Sequence, residues 1–597
     1  MKLSKRIRTV LYEDQRFSPG EIELLHTPAF QRLYDLHQLG LTDRVFVDAS
    51  HSRLHHVVGV VEQAGNLMTA IARNLRRTPQ EELDYSGALP GEPKTARWFA
   101  SLVVRRIPVV RLMGLLHDLT HAPYGHTLED EIHLVQEKHD EPRRQADAFY
   151  RVALQFLGWL VRNSESGNAS VNEPESAHQA AFNNYLDKPD LVSPPQDEGF
   201  VAYVVKSATR VIKKADERRR TQPFLRMGKD DLIRFLKDLS FAMWATLFLE
   251  AAHKPKLERR LIPDSEYRFD RLLGLIFHEL EVTPVDLETF VPHRDAFMLD
   301  VIGNTICADL LDYAKRDSVC AGLKLDYDAS RIIENFTLVS WEEEEGTEVE
   351  DDPDEEHPFA NLCIRTAISI FGHKLRLDVP GELLNLLQVR YYVYERMLFH
   401  PTKCIAGAML GSAIQLIGWA DLPKHIRFTG DAVFLHDAAE AARLVHDYLM
   451  GLDRDRLLDD EVVKDFETGL AGVALTSLAE CSKALISSRV VRVRDIKALL
   501  LHTTKLLAPF KRTAIHMAEA IASVDVADDM VFTPEIASRV VAMLSPEERG
   551  LADQVARSFL PSIGRVADQI AAGLHLLSRL ASRQYYSLFR NVLGVFH

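Results

Sequence analysis

Residues 115–126 read L-L-H-D-L-T-H-A-P-Y-G-H, so an apolar run leads directly into a cluster of ionisable side chains. On a helix, His117 and His121 would project from one face because they are four residues apart. Asp118 would point about 100° away from His117 around the helix axis. Imidazoles beside a carboxylate suit a divalent Mn, Fe, Ni, Zn or Mg ion. A lone His-Asp pair is also common as a helix cap or a surface pair, so this stretch alone leaves both interpretations open.

Two further segments carry similar clusters. S-H-S-R-L-H-H at 50–56 stands at the start of an amphipathic helix predicted over 54–73. A-D-L-L-D-Y-A-K-R-D at 308–317 places three aspartates at helical spacing. Ionisable residues that interrupt apolar helices in three separate segments are hard to explain by core packing. They favour a metal site assembled from several helices, whereas His51 and His55 are expected to be additional histidines on an exposed helix start.

The apolar stretch before His117 predicts a buried helix over 102–116. Pro108 is expected in its first turn, where a proline is tolerated. Pro123 and Gly125 are expected to end the helix just after His121. On this interpretation a buried helix presents His117 and Asp118 to a metal, with His121 one turn further on.

The composition of the 597-residue chain, 46% hydrophobic and 26% charged, is that of a globular protein of several domains. Five scattered cysteines without a C-x-x-C pair predict neither a disulfide framework nor a cysteine zinc site. Neither a signal peptide nor a membrane span is predicted, which favours a cytoplasmic protein without a membrane partner. The net charge of −15 disfavours free nucleic acid as a partner of the whole surface.

Charge and loop patterns divide the chain. Loops are expected over about 163–198 and over 341–358, where eleven of the fifteen residues 342–356 are acidic. The segment 206–229 holds nine basic and two acidic residues, which fits a solvated helix face or a site for nucleic acid or a nucleotide effector. These patterns divide the chain into a segment at 1–162, an insertion at 163–290, a segment at 291–405 and a helical C-terminal region at 406–597.

Four ordered motifs carry a family resemblance. They are T-P-A-F-Q-R-L-Y-D-L-H-Q-L-G (27–40), S-H-S-R-L-H-H-V-V-G-V (50–60), H-D-L-T-H-A-P-Y-G-H (117–126) and D-L-L-D-Y-A-K-R-D (309–317). Their order and wording resemble the deoxynucleoside triphosphate triphosphohydrolase branch of the HD-domain metal phosphohydrolases. The resemblance covers roughly 20–405. It implies a mostly α fold, an HD-domain helical bundle core with inserted loops and a C-terminal helical extension. The two halves of that core would be 1–162 and 291–405, the second including the acidic loop 341–358.

The resemblance also implies a reaction, the hydrolysis of a dNTP to a deoxynucleoside and inorganic triphosphate at a divalent metal. The implied metal ligands are His56, His117, Asp118 and Asp309. The implied catalytic residues are His121, Glu129, which stands where the mammalian member has Asp, and His139, which is matched only loosely. The implied substrate contacts are Gln38, Leu39, Arg53, His126, Tyr313, Asp317 and Arg390. An apolar Leu39 would leave a 2′-hydroxyl unpaired and crowded, which favours deoxyribose.

The sequence departs from the family at informative positions. The family usually has a lysine after the ligand aspartate, reaching the triphosphate, and here that residue is Leu310. Weaker triphosphate binding or a different substrate would follow. His26 and Tyr34 stand where the mammalian member reads an activating guanine with Asp and Arg, so activation by GTP in that way is not expected.

Two other functions remain open at this point. The chain could be an HD nuclease acting on single-stranded DNA or RNA ends, which Leu310 and the basic segment 206–229 favour. It could also be a dNTP sensor that signals through its C-terminal helices, although a sensor needs no catalytic His121. A homo-oligomer is expected from the resemblance, and a nucleotide activator of another kind is left open.

Overall fold

The structure is a computed structural model of the chain. It describes residues 5–78, 95–131, 135, 139–165, 177–187, 197–217, 227–253, 268–283, 292–342, 362–369, 376–416, 429–439 and 539. The chain divides into two compact units, Met1–Cys404 with Lys424–Asp431, and Ile405–Pro423 with Ala432–His597. Every candidate site residue belongs to the first unit. Most of the predicted C-terminal region 406–597 lies outside the described residues, and the four-part organisation stays a prediction.

The described residues are predominantly helical, which confirms the predicted mostly α fold. The helices are α1 (Pro19–Leu25), α2 (Pro28–Gln31), α3 (Arg53–Arg77), α4 (Ala96–Leu116), α5 (Pro142–Glu165), α6 (Ala177–Asp187), α7 (Glu198–Lys213), α8 (Lys229–His253), α9 (Arg268–Glu279), α10 (Pro292–Asp295), α11 (Phe297–Gly303), α12 (Ala308–Cys320), α13 (Ala329–Ile333), α14 (Asp378–Val393) and α15 (Pro401–Leu416). Residues 431–439 are also helical. Short 3₁₀ helices span Arg32–Asp35 and Gly40–Arg44, and π-helical turns span Thr127–Glu131 and Tyr394–Leu398.

Two small antiparallel sheets accompany these helices. Strand β1 (Lys5–Arg8) pairs with β2 (Asp14–Phe17) so that Lys5 lies opposite Phe17. Strand β3 (Phe336–Glu342) pairs with β4 (Leu362–Ile368) so that Phe336 lies opposite Ile368. The acidic run between β3 and β4 lies outside the described residues from 343 to 361.

Three helices of the first unit pack closely enough to bring their ends together. Helix α3 runs along α4, and a Cβ on Gly114 would lie 3.5 Å from Val60 Cγ1. Helix α12 crosses α3 at Gly59, where any side chain would overlap the Asp312 carboxylate and the Arg316 guanidinium. The apolar faces of these helices belong to one buried core.

Two expectations about α4 are wrong. Pro108 lies in the helix interior, because the helix begins at Ala96 after the N-cap Thr95, whose hydroxyl accepts a hydrogen bond from Trp98 N. The helix also ends earlier than expected, at Leu116, with His117 as the C-cap. His117 and His121 therefore do not share a helical face. They are brought together by the turns that follow α4.

The predicted loop over 163–198 is wrong in its middle. Helix α6 lies there, and Phe182 and Tyr185 are buried on its apolar face. The flanking residues 166–176 and 188–196 lie outside the described residues. The polar composition on either side obscured the helical spacing of these two aromatic residues.

Among the helices that the structure describes, none combines the length and the apolar character that crossing a bilayer requires.

Candidate functional site

Three separate elements supply the four predicted metal ligands. His56 lies in the first turn of α3, which begins after Ser52, a residue hydrogen-bonded to His55 Nδ1. His117 caps the C-terminus of α4, and Asp118 follows it. Asp309 lies in the first turn of α12, after the N-cap Cys307.

The four side chains converge on a small volume. His56 Nε2 lies 3.0 Å from Asp309 Oδ1 and 3.8 Å from Asp118 Oδ2. His117 Nε2 lies 3.5 Å from Asp118 Oδ1 and 3.9 Å from Asp309 Oδ1. Neighbouring ligands bonded at about 2.1 Å to one metal lie about 3.0–3.5 Å apart, so small adjustments would complete the set.

The contacts of Nδ1 in His56 and His117 also favour binding of a metal by Nε2. His56 Nδ1 lies 2.8 Å from Asp312 Oδ2, and His117 Nδ1 lies 2.9 Å from the carbonyl oxygen of Gly114. With the proton held on Nδ1, each Nε2 keeps its lone pair for a metal. His117 Nε2 is buried and has no hydrogen-bond partner in the described part of the chain. The residues present therefore fit a divalent cation.

The charges of the cluster also favour a cation. Burial lowers the pKa of His56, but the carboxylates of Asp309 and Asp312 outweigh it and raise that pKa to about 10. Burial raises the pKa of Asp118, but His117, His121 and Arg53 together hold it well below its ordinary value. Asp118 and Asp312 thus keep their charge at neutral pH, and the negative potential that attracts a proton to His56 also attracts a metal ion.

A second network surrounds Glu129. One carboxylate oxygen, Oε2, lies 3.0 Å from His121 Nδ1 and 3.1 Å from His139 Nδ1. The other oxygen, Oε1, accepts from Ala122 N at 3.0 Å and lies 3.0 Å from Arg144 Nη2. Burial raises the pKa of Glu129, but His121, His139 and Arg144 hold it far below its ordinary value.

His121 connects this network to the four predicted metal ligands. Its Nε2 lies 3.2 Å from Asp118 Oδ1, while the rings of His121 and His139 stack with centroids 3.8 Å apart. An ionised Glu129 therefore holds a proton on His121 Nδ1 and aims Nε2 at the metal cluster. A histidine so placed can give a proton to a leaving group or take one from water.

Both clusters face one cavity of about 360 Å³, a volume in the range of small-molecule sites. Of the predicted site residues, those that line it are Gln38, Leu39, His56, His117, Asp118, His121, His126, His139, Asp309, Tyr313, Asp317 and Arg390. Glu129 is buried behind His121 and His139. Arg53 is buried too, and its Nη1 donates to Asp118 Oδ2 at 2.7 Å, so it contacts a predicted metal ligand in this structure.

Sequence reasoning missed His51. Expected on an exposed helix start, it is buried instead, and its Nε2 lies 2.8 Å from Asp317 Oδ1. Burial lowers the pKa of His51, but Asp317 and the thiol of Cys320 raise it to about 9. His51 thus holds the carboxylate of Asp317 by an ion pair, and Asp317 is the residue predicted to accept a hydrogen bond from the sugar. His55, in contrast, is exposed as expected.

This ion pair predicts a pH-dependent contribution to stability. A histidine whose pKa is raised by folding adds to the free energy of unfolding. This stabilisation is complete below the ordinary histidine pKa of about 6.5 and is lost as the pH rises. For His51 the loss runs from there to about pH 9. We expect His51→Gln to lower the midpoint of thermal unfolding most at pH 6, by the equivalent of about 3 kcal/mol at most. The deficit should shrink towards pH 9.5, with the exposed His278→Gln variant as control. A deficit independent of pH would contradict the assignment.

A buried lysine also escaped notice in the sequence. Lys403, in the first turn of α15, is fully buried, lines the cavity and forms an ion pair with Glu131 on the π-helical turn. Leu310, where the resemblance implies a lysine, packs in the apolar core instead. The cavity therefore receives a lysine from a different element.

Other predicted features are placed as follows. His126 is exposed, with Nδ1 2.7 Å from Asp130 Oδ2 and its ring 4.8 Å from that of His121. Of the basic segment 206–229, residues 206–217 and 227–229 are described, and Lys206, Arg210 and Lys213 are exposed on α7. A nucleic-acid or effector site there stays a prediction.

Comparison with known proteins finds relatives of the kind that the four motifs resemble. The deoxynucleoside triphosphate triphosphohydrolase SAMHD1 homolog of Dictyostelium discoideum is 29% identical over 163 residues, which are 27% of this chain and 26% of that protein. The mouse deoxynucleoside triphosphate triphosphohydrolase SAMHD1 is 36% identical over 113 residues, 19% of this chain and 14% of that protein. An HD domain-containing protein of Acanthamoeba polyphaga mimivirus is 33% identical over 108 residues, 18% and 21% of the two chains.

The matched stretches thus span 26% or less of these curated relatives. No protein-family model matches the chain. The similarity confirms the resemblance to HD-domain deoxynucleoside triphosphate triphosphohydrolases over part of the chain.

Proposed function

We propose that this chain is an HD-domain phosphohydrolase that cleaves dNTPs to a deoxynucleoside and inorganic triphosphate. The observation that carries the proposal is the convergence of His56, His117, Asp118 and Asp309 on the cavity that His121 also lines. Partial similarity to named triphosphohydrolases supports the substrate class.

The cluster would hold a divalent metal, which would polarise a phosphoryl oxygen and lower the pKa of bound water. Water would attack the α-phosphorus, and the bond from that phosphorus to the 5′-oxygen would break. His121 would protonate the departing 5′-oxygen from Nε2, while Glu129 keeps the imidazolium in place through Nδ1. The proton that the attacking water loses would replace the one that His121 gave to the 5′-oxygen, so the site would return to its starting protonation state.

The same cavity offers a sugar site next to the reacting centre. Leu39 is buried and lines the cavity, as do Gln38, Tyr313 and Asp317. A 2′-hydroxyl against Leu39 would lose its hydrogen bonds to water without replacement. Asp317, held by His51, would accept from the 3′-hydroxyl. These contacts favour a deoxynucleotide over a ribonucleotide.

Basic side chains that line the cavity suit a polyphosphate. Arg390, His126 and Lys403 all line it. We propose that Lys403 supplies the triphosphate contact that Leu310 cannot make, leaving Glu131 when substrate binds. Glu131 is part-exposed, so water would solvate its carboxylate after the exchange.

This role predicts a binding defect in Lys403→Met. A hydrogen bond to a charged group contributes about 1.5–3 kcal/mol, which corresponds to about a 10- to 100-fold rise in KM. The kcat should change much less, since the lysine contacts phosphate in both ground and transition states. Steady-state kinetics with one dNTP would measure both constants, with Lys403→Arg as the conservative variant and the exposed Lys324→Met as control. An unchanged KM would exclude the contact.

Product analysis by chromatography tests the proposed function itself. Purified protein is incubated with each dNTP, each NTP and a single-stranded oligonucleotide, in Mg, Mn or Fe, beside a His117→Ala/Asp118→Ala variant. Deoxynucleoside with inorganic triphosphate, absent from the variant, is the expected result. Shortening of the oligonucleotide without turnover of dNTPs would assign a nuclease instead. Binding of dNTPs without any product would identify a sensor.

A further inference from the structure

A distant residue of the first unit, Asp431, is hydrogen-bonded to two turns that border the cavity. Its Oδ1 accepts from Tyr124 N at 2.7 Å. Its Oδ2 accepts from His37 N at 2.8 Å and lies 2.7 Å from His37 Nδ1. The carboxylate is buried, and both of its oxygens are used.

The first of these turns carries the proposed proton donor. Tyr124 lies between His121 and His126, and its φ of 55° is unusual for a residue with a side chain. Such a conformation persists only where the surroundings hold it. The bond from Tyr124 N to Asp431 is one of the interactions that hold it.

The second turn carries the proposed sugar contacts. His37 directly precedes Gln38 and Leu39, which both line the cavity. Asp431 binds both the backbone nitrogen and the ring of His37, so it restrains the path of the chain into these two residues. One carboxylate therefore ties the two turns to each other.

Thr429 and Gly430, the residues before Asp431, also contact residues of the N-terminal motif 27–40. Arg32 Nη1 donates to the carbonyl oxygens of His121, at 2.9 Å, and Thr429, at 3.3 Å. A Cβ on Gly430 would lie 2.5 Å from the Cβ of Asp35, closer than such atoms approach. The segment 429–431 thus occupies a site shaped for a glycine followed by an aspartate.

We infer that Asp431 is a positioning residue: it holds the 121–126 turn and the 37–39 turn in the relative placement that hydrolysis needs. The inference rests on the proposed function for its effect on turnover. It assigns a part in the reaction to a residue more than 300 positions from the motifs it serves, since Asp431 and Tyr124 are 307 residues apart.

The Asp431→Asn variant isolates the carboxylate. An amide has one accepting oxygen and one donating nitrogen, so it can serve Tyr124 or His37 but places a donor against the other. Misplacement of catalytic groups by about 1 Å can cost on the order of 10²-fold in rate. We expect kcat to fall by about 10- to 100-fold. Metal affinity should stay within about threefold of the wild type, because none of the proposed ligands bonds to Asp431.

A second pair of variants keeps Asp431 but tests the position of segment 429–431. Gly430→Ala should displace the segment from Asp35 and lower kcat in the same way. Asp35→Gly removes the Cβ that the new methyl group would meet, so the double variant should recover most of the wild-type kcat. Asp437→Asn, six residues beyond Asp431, is the matched control.

Three measurements on the 597-residue chain decide the inference: kcat and KM with a dNTP, metal affinity by calorimetry, and hydrogen–deuterium exchange of the 119–126 peptide. The expected result is a low kcat, unchanged metal affinity and faster exchange in Asp431→Asn and Gly430→Ala, with recovery in Gly430→Ala/Asp35→Gly. Wild-type kcat and exchange in both single variants would overturn it. Parallel loss of metal affinity and thermal stability would overturn it too, because that marks a general structural role.

The exchange measurement needs no substrate, so it separates this inference from the proposed function. If the wild-type protein hydrolyses no dNTP, the proposed function fails. Faster exchange of 119–126 in Asp431→Asn would then still support the positioning of the turn by Asp431. Unchanged exchange in that case would overturn it.

Discussion

Asp118→Asn is expected to lose metal binding and to reduce dNTP turnover to the background of the assay. Asp118 lies between His117 and His56 and contributes an ionised carboxylate. Loss of a residue that only supports a metal ligand costs about 10- to 100-fold in affinity, and loss of a ligand should exceed that. The substitution also removes the anion that pairs with the buried Arg53.

Metal content by elemental analysis and kcat by product chromatography measure this effect. Asp326→Asn, a change of the same type at an exposed residue near the end of α12, serves as the control. Circular dichroism establishes whether the variant is folded. Full metal content together with wild-type turnover in Asp118→Asn would contradict the assignment of the metal centre.

Glu129→Gln is expected to lower kcat by about 10²- to 10⁴-fold, the range that a positioned acid or base supplies. The glutamine keeps the size of the side chain but loses its charge and one accepting oxygen. It cannot accept from His121, His139, Ala122 N and Arg144 together as Glu129 does. His121 would then lose the partner that holds its proton on Nδ1.

The same substitution should destabilise the fold. Removing one partner of a buried ionic network costs about 3–5 kcal/mol, and Arg144 loses its ion pair with Glu129. Thermal unfolding and kcat are measured beside Glu141→Gln as the matched control. Glu129→Asp, which keeps the charge and shortens the side chain by one methylene, should retain part of the activity. Wild-type kcat in Glu129→Gln would exclude His121 as the proton donor that we propose.

The features that followed from the sequence are those set by local pattern. Apolar spacing over 54–73 predicted a helix, and α3 spans Arg53–Arg77. The ordered motifs predicted which side chains would meet, and the structure brings His56, His117, Asp118 and Asp309 together. Periodicity reports local structure well because the chain must bury one face of each helix.

The features that could not be predicted from the sequence depend on partners that are distant in the chain. His51 had the pattern of an exposed residue, and only the fold shows Asp317 beside it. Lys403 lies in an apolar helix start that gave no sign of its pairing with Glu131. The predicted end of α4 was wrong because Pro123 and Gly125 signal a stop only after His121. The helix ends at Leu116, and the ring of its C-cap His117 bonds to the carbonyl oxygen of Gly114.

The proposed metal centre combines residues that lie far apart in the chain, and this has a consequence for synthesis on the ribosome. His56 and its partner Asp312 are 256 residues apart, and Asp309 lies in the same late helix. A nascent chain that ends before α12 carries His56, His117 and Asp118 without Asp309, the fourth proposed ligand, and without Asp312, the partner of His56. We therefore expect loading of the proposed centre to follow closure of a loop of this length. Before that step the histidines could bind other ions, so we expect metal availability at that stage to influence which ion the proposed centre holds.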